Sequence, residues 1–376
     1  MQVHNLALQR NKYKHLSDDE WRWFLQQVEG RERTADKLPT FAAMDDWWYP
    51  VRLSCEQCSS EQTAKYKASL VSGEKMVDLT GGYGVDTFFL SEKFTQADYV
   101  EQDAELCRIA EHNFGNKPIT IHNTTAEHFL PSADLYDLLF ADPYRRDSHG
   151  GKVFRLEDCT PNIVALLPSL LAHLTSKGRI LLKLSPMLDI TQATNALSLT
   201  TWDIYVVAVK NEVKEVLLLS QEVLPSTPEP VRTPESSITA IDLAAPEQAF
   251  VFTREEEKDC LLSTGDALLN GAYLYEPNAA ILKAGAYKLV AQRFGLQKLD
   301  VNTHLYTSSS LVSDFPGRVW RITESTDVKQ ANVLTRNYPL TPEQLKKKLR
   351  VKDGGEAFII GCRVQGKPTL FHCERI

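Results

Sequence analysis

The sequence predicts an α/β fold, a parallel sheet with helices on both faces, with a helical segment before it and an α+β region after it. Three observations predict this. Between about residues 75 and 184, short apolar strands alternate with helical stretches, the pattern of successive βαβ units. The alternation then gives way to two β-rich runs, Trp202–Val209 and Glu215–Leu219, separated by the polar turn Lys210–Lys214 and read as a hairpin. Pro225, Pro228, Pro230 and Pro234 next crowd into one short stretch, an extended spacer, beyond which strands and helices mix without alternating.

Taken in order, residues 1–65 read as mostly helical. Ser17 and Glu20 stand at capping-box spacing, and Trp21, Phe24, Leu25 and Val28 follow at helical period. Pro39 and Pro50 punctuate a loop with the aromatic cluster Trp47-Trp48-Tyr49, which is expected to pack in a core rather than stack on a base. A second helix is expected over Ser59–Val71. The first strand, Met76–Leu79, ends in glycines, and a helix is expected over Tyr83–Phe94. A second strand, Ala97–Glu101, precedes the helix Ala104–Phe114, and Ile119–His122 is a third. Leu135–Ala141 is very apolar and suits a strand buried on both faces. A helix over Cys159–Leu174, capped by Asp158 or Thr160, leads to a fifth strand, Arg179–Leu184. Past the spacer, strands are expected at Ile238–Leu243, Ala249–Thr253, Phe358–Val364 and Thr369–His372, with helices at about Ala279–Phe294 and Pro342–Leu349.

Bulk properties narrow the function. The 376 residues leave room for two or three domains, and 43% hydrophobic with 24% charged residues is ordinary for a globular chain. No run of 18 apolar residues exists, so no membrane partner is expected. The polar start lacks an apolar leader, which predicts a cytoplasmic protein. Seven cysteines are scattered, and only Cys55 and Cys58 form a C-x-x-C pair without a second pair at zinc spacing. Reduced thiols and no metal site are expected. A net charge of −7 argues against wrapping nucleic acid over the whole surface. The charge is uneven, however. Residues 331–376 hold nine Lys or Arg against four Asp or Glu, while 223–260 hold three against eight.

The chemistry-bearing residues cluster at strand ends. In Asp78-Leu79-Thr80-Gly81-Gly82-Tyr83-Gly84, glycines in a strand-to-helix turn let the backbone approach a ligand, and the next helix offers unpaired N–H groups. By itself such a loop is equally a plain turn. Glu101 ends the second strand about twenty residues on, where an acid accepts both hydroxyls of an adenosine-type ribose; the other reading is a solvated strand end. Asp142-Pro143-Tyr144-Arg145-Arg146 follows the apolar strand, whose C-terminal end opens onto the ligand crevice. Here the other reading is a turn with solvated arginines.

These motifs resemble class I S-adenosylmethionine-dependent methyltransferases. The resemblance implies a Rossmann-like seven-stranded sheet closed by the hairpin, with the last strand inserted antiparallel. It implies cofactor contacts at Asp78, Thr80, Gly81, Gly82, Gly84, Glu101 and Asp142, with Asp78 toward the amino acid part of S-adenosylmethionine. Thr125 stands where many relatives have an Asp that meets the adenine. Asp142-Pro143 is similar to the fourth motif of amino-group methyltransferases, in which an acid or amide and a carbonyl hold an exocyclic NH2 and an aromatic, here Tyr144, stacks on the base. Asp142, Pro143 and Tyr144 are therefore the implied catalytic residues. The motif departs from the family in having a single Pro. Uracil-C5 chemistry is excluded, because it needs a nucleophilic Cys after the fifth strand and this chain has Lys183-Leu184-Ser185-Pro186 there.

Further stretches extend the resemblance over about residues 50–376. They are Glu56–Glu61, Thr63–Ala68, Val153–Asp158, Tyr273-Leu274-Tyr275-Glu276-Pro277-Asn278 and Lys283-Ala284-Gly285. Together they look like bacterial methyltransferases with a C-terminal THUMP-like domain, which implies a structured RNA partner, tRNA or rRNA, and no protein partner. Domains are expected at 1–65 (helical), 66–222 (methyltransferase) and 223–376 (ferredoxin-like to about 310, THUMP-like beyond). RNA contacts are expected from Arg145, Arg146, Lys183, Lys346, Lys347, Lys348 and Arg350, though a lysine run is also a common solvated helix face. The expected activity is methyl transfer to an exocyclic base amine in RNA. An RNA-binding scaffold with a degenerate cofactor site, or an enzyme acting on a small molecule or protein, are the alternatives.

Overall fold

A computed structural model describes residues 10–145, 155–221, 235–261, 273–324 and 328–376. The chain divides into two compact units, Met1–Trp202 with Leu217–Pro234, and Asp203–Val216 with Glu235–Ile376. The proline spacer, and Arg146 with Val153 and Phe154, lie outside the described residues.

In the first unit, α1 (Asp18–Thr34) starts at the expected capping box, with Ser17 and Glu20 each bonded to the other's backbone. The short helices α2 (Pro39–Ala42) and α3 (Arg52–Gln57) follow. The helix expected from Ser59 is α4 (Glu61–Ser69), because the Ser60 hydroxyl accepts from the Thr63 N–H and so caps it. Trp47 and Tyr49 are buried, and Trp47 stacks on Phe41 with ring centroids 4.1 Å apart. Trp47 also donates its indole N–H to the Tyr83 hydroxyl at 2.9 Å. The N-terminal segment thus packs onto the glycine loop.

The βα succession comprises β1 (Gly73–Asp78), α5 (Val85–Ser91), β2 (Phe94–Glu101), α6 (Ala104–Phe114), β3 (Ile119–Asn123), α7 (Ala126–Phe129) and β4 (Tyr136–Ala141). It continues through β5 (Tyr144–Arg145), β6 (Cys159–Thr160), α8 (Ile163–Ala172), β7 (Leu174–Leu184) and α9 (Ile190–Ala196) to the hairpin β8 (Trp202–Val209) and β9 (Glu212–Ser220). The sheet of this unit runs β9-β7-β4-β1-β2-β3, with β7/β4, β4/β1, β1/β2 and β2/β3 parallel. The central strands are buried on both faces, Leu138, Leu139 and Phe140 among them.

Three local expectations shift. The helix expected from Tyr83 starts at Val85, because Gly84 takes a left-handed conformation, and it stops at Ser91 because β2 already begins at Phe94. The helix expected from Cys159 starts at Ile163, capped by Asn162 rather than Asp158 or Thr160. Cys159–Thr160 pairs with β5 instead, and a residue before proline avoids helical backbone. The hairpin turn is only Lys210-Asn211, both at positive φ (52° and 64°), the geometry whose twist matches paired strands.

The second unit contains most of the hairpin, β10 (Ser237–Asp242) parallel to β8, and β11 (Phe250–Thr253) antiparallel to β10. After α10 (Arg254–Asp259) come β12 (Tyr273–Pro277), α11 (Ala279–Ala284), α12 (Leu289–Arg293), β13 (Gln297–Asp300), β14 (Thr303–Ser308), β15 (Gly317–Ile322) and β16 (Gln330–Arg336). α13 (Pro342–Leu349), β17 (Lys352–Val364) and β18 (Lys367–Arg375) complete it. The helix expected over 279–294 is broken, because Gly285 adopts φ +89° and ends α11. A seven-stranded sheet runs β13-β14-β12-β15-β18-β17-β16, all antiparallel except β17/β16, which α13 bridges. Leu345 of α13 is buried with Val333 and Ile359, and Leu274, Trp320, Ile360 and Phe371 form the adjacent core.

Candidate functional site

β1 carries Asp78 to its C-terminal end, where the side chain is buried. Its carboxylate accepts from the Thr80 N–H at 2.9 Å and the Thr87 hydroxyl at 2.6 Å. Burial outweighs these donors and pushes the carboxyl up to about 7, with the nearby negative charges of Asp86 and Asp142 acting the same way. The Gly81 N–H donates to the Val100 carbonyl at 2.9 Å, and a Cβ on Gly81 would lie 2.2 Å from the Tyr99 ring. Only glycine permits that approach. Gly84, at φ +82°, turns the chain into α5.

The loop is tied to the end of β2. Glu101 accepts the Gly82 N–H on Oε2 and the Asp103 N–H on Oε1, both at 2.9 Å. A carboxylate offers about four acceptor sites, so each oxygen keeps capacity for a further donor. Tyr99 donates its hydroxyl to the Gly82 carbonyl at 2.5 Å. Thr125 is the N-cap of α7, its hydroxyl accepting from the His128 N–H at 3.4 Å. The side chain that joins the end of β3 to the Glu101 strand end is Asn123, which donates to the Glu101 and Gln102 carbonyls at 3.0 and 3.1 Å.

At the end of β4 the Asp142 N–H donates to the Thr80 hydroxyl at 2.7 Å, which brings the strand-four motif against the glycine loop. Pro143 is buried. Tyr144 is 53% exposed, and its hydroxyl accepts from the Gln102 amide at 2.9 Å. The Arg145 backbone pairs with Cys159. Arg146 lies outside the described residues.

The structure adds a charged network that the sequence reading lacks. Lys67 of α4 is fully buried and forms an ion pair with Asp86 of α5 at 3.2 Å. Ser59 donates its hydroxyl to the other Asp86 oxygen at 2.7 Å. Burial works to raise the Asp86 carboxyl, yet Lys67 and Lys183 outweigh it and hold it below the usual carboxylate range. Lys183, at the end of β7, lies 3.6 Å from Asp86 and donates to Asp142 Oδ2 at 2.5 Å. Its side chain is 14% exposed and is paired with the Asp142 carboxylate. A sequence signal for this network did exist. Asp86 stands two residues past Gly84, and Lys67 shares the helical face of Thr63 and Ala64.

The expected basic run lies on α13 in the second unit. Lys347, Lys348 and Arg350 are exposed, whereas Lys346 is half-buried and paired with Asp353 at 2.8 Å. Among the described residues no three His, Cys, Asp or Glu side chains gather as metal ligands. The cysteines are free thiols, and burial, reinforced by Cys58, pushes Cys55 up to about 12. No helix among the described residues is long and apolar enough to cross a membrane.

Comparison with known proteins gives consistent relatives. Residues 273–316 match the family model of a ferredoxin-like domain, and residues 317–375 match that of a THUMP domain-like family. The crystal structure of a "putative methyltransferase" from Porphyromonas gingivalis W83 superposes with a TM-score of 0.82 at 34% identity, over 96% of this chain and 92% of that one. Two Mycobacterium tuberculosis proteins, from strains CDC 1551 / Oshkosh and ATCC 25618 / H37Rv, are each named an uncharacterized S-adenosylmethionine-dependent methyltransferase. Each is 22% identical over 367 residues, covering 93% of this chain and 94% of the relative.

Proposed function

The chain belongs to the class I S-adenosylmethionine-dependent methyltransferases that end in ferredoxin-like and THUMP-like domains, and we propose that it methylates an exocyclic amine of a base in structured RNA. Guanine N2 or adenine N6 of a tRNA or rRNA is the acceptor on this reading. The observation that carries it is the placement of Asp142. Its backbone is bonded to the glycine loop through Thr80, while its carboxylate is held by Lys183 through Oδ2 alone. Among the described residues no donor meets Oδ1, so that oxygen is free to accept a hydrogen bond from an NH2 group.

The residues present fit the cofactor. Asp78 is a buried carboxyl held near neutrality, a state that a cationic ammonium would relieve. Glu101 keeps acceptor capacity for ribose hydroxyls, and Gly81, Gly82 and Gly84 leave the loop backbone open to close approach. Thr80 lies in this loop, and Thr125 follows Thr124, whose N–H donates to the Glu101 carbonyl at 3.0 Å. S-adenosylmethionine supplies a methyl group on a sulfonium centre, so the protein has mainly to position the acceptor and manage its charge. Asp142 Oδ1 orients the amine and receives the proton that its nitrogen sheds, and Lys183 fixes the other carboxylate oxygen. Tyr144 is exposed beside them and offers a ring for base stacking. The THUMP-like match supports RNA as the bearer of that base.

Two experiments test this. Asp142→Ala should abolish methyl transfer to RNA from a deletion strain while calorimetry still detects S-adenosylmethionine binding; retained transfer would remove Asp142 from its role. Mass spectrometry of nucleosides from the same strain should show one methylated nucleoside missing, and an unchanged profile would count against RNA as the acceptor.

A further inference from the structure

The methyl-transfer site makes no use of the Tyr273–Asn278 motif, yet the motif contains an unusual acid. Glu276 of β12 is only 6% exposed, and its two oxygens are taken by two different arginines. Oε2 accepts from Arg318 Nη1 at 3.4 Å; Arg318 lies on β15 and is the register partner of Glu276. Oε1 accepts from Nε of Arg336, the last residue of β16. In the sheet order β15, β18 and β17 stand between β12 and β16, so the second pairing requires the sheet to curl. Asn337, which donates to the Thr303 hydroxyl of β14 at 3.4 Å, marks the same approach.

Strand alternation places these charges. Leu274 and Trp320 are register partners in the core, and two residues along each strand the same face presents Glu276 and Arg318. The charged triad therefore closes one end of the curled sheet's apolar interior. One arginine would neutralise Glu276, and the second leaves an excess positive charge. Both arginine side chains are also partly exposed, at 36% and 39%. Arg336 Nη1 donates to the Thr335 carbonyl, but among the described residues no protein acceptor meets Arg318 Nε or Nη2, or Arg336 Nη2. A buried carboxylate thus fixes two planar forks while several donors stay open, which suits bidentate capture of a tetrahedral oxyanion.

We propose that Arg318 and Arg336, oriented by Glu276, bind a phosphate group, and that on the RNA reading this is a backbone phosphate of the acceptor RNA. The site is separate from the lysine run of α13 and depends on fork geometry as well as charge.

The test uses the full chain with total tRNA from a deletion strain, titrated over a range of KCl, and with inorganic pyrophosphate in a calorimeter. The variants are Arg318→Gln and Arg318→Lys. Glu276 keeps Arg336 in both, so both should melt near the parent temperature. Arg318→Gln should weaken RNA binding about tenfold, lower the log–log salt slope by about one, and remove the pyrophosphate heat. Arg318→Lys should restore the slope but only part of the affinity. If the parent binds RNA and Arg318→Gln matches it in affinity and slope, the inference is overturned and the RNA reading stands. If the parent binds pyrophosphate but no RNA, the anion site stands and the RNA reading fails. Binding of neither overturns both. Should Arg318→Gln not fold, Arg318→Lys decides, since a full return to parental affinity removes the fork from the account.

Discussion

Asp78 holds its carboxyl near neutrality because it lies buried at the end of β1, with Asp86 and Asp142 close by. The sign of the resulting pH dependence follows from linkage. With a folded value of about 7 against 3.8 for the free group, the folded protein retains a proton between those values that the unfolded chain has lost. This group's contribution therefore lowers stability as pH rises from about 4 to 7, by up to about 4 kcal/mol, and is level outside that window. A cationic ligand group reverses the preference. S-adenosylmethionine affinity should rise by up to about tenfold per pH unit below 7 and level off above it, with proton release on binding. Calorimetry between pH 5.5 and 8.5 in buffers of different ionisation heat checks this, and a flat profile without proton release would remove Asp78 from contact with the ammonium. Asp78, Glu101 and Asp142 were legible because each ends an apolar strand. Lys67 was overlooked despite sharing the face of Thr63 and Ala64, because a lysine in a helix ordinarily reads as solvated and its partner Asp86 lies on the next helix.

That partner makes Lys67 and Asp86 a staple between α4 and α5. Removing Asp86 takes a carboxylate away from the fully buried Lys67, a loss that typically costs up to about 3–5 kcal/mol, whereas removing Lys67 leaves Asp86 with Lys183 at 3.6 Å and should cost less. Asp86→Asn should therefore destabilise more than Lys67→Met, and the double variant should be more stable than the sum of the two losses predicts. Denaturant unfolding of all four proteins measures the coupling, and simple additivity would show that the pair does not act as a unit. Among the elements, α6 and α13 match their expected limits residue for residue. Each is set by a local signal, the Asp103 and Thr341 caps. Strands β13 to β16 left no comparable trace, because short strands without clean alternation take their register from neighbours. The break at Gly285 was missed because the apolar period continues through the glycine.

Over the whole molecule, charge is segregated. The chain is net −7, so any RNA contact depends on local basic surface, and the C-terminal 46 residues provide one. Replacing Lys347 and Lys348 with Ala should weaken RNA binding at low salt and reduce the log–log salt slope by about two, leaving the melting temperature nearly unchanged because both side chains are exposed. An unaltered slope in a salt titration would mark the run as a solvated helix face. The sequence by itself determined the main strands of the βα succession, the glycine loop with Glu101, and Asp142 at the end of β4. Strand period, turn chemistry and capping act between near neighbours, and the chain states them directly. Tertiary structure decided which charges meet. Lys183 turns inward to Asp142 and Asp86, Lys67 disappears into the core, and Glu276 gathers Arg318 with an arginine 60 residues away. Desolvating a charge is costly enough that its partner must be close in space, and closeness in space is what folding alone supplies.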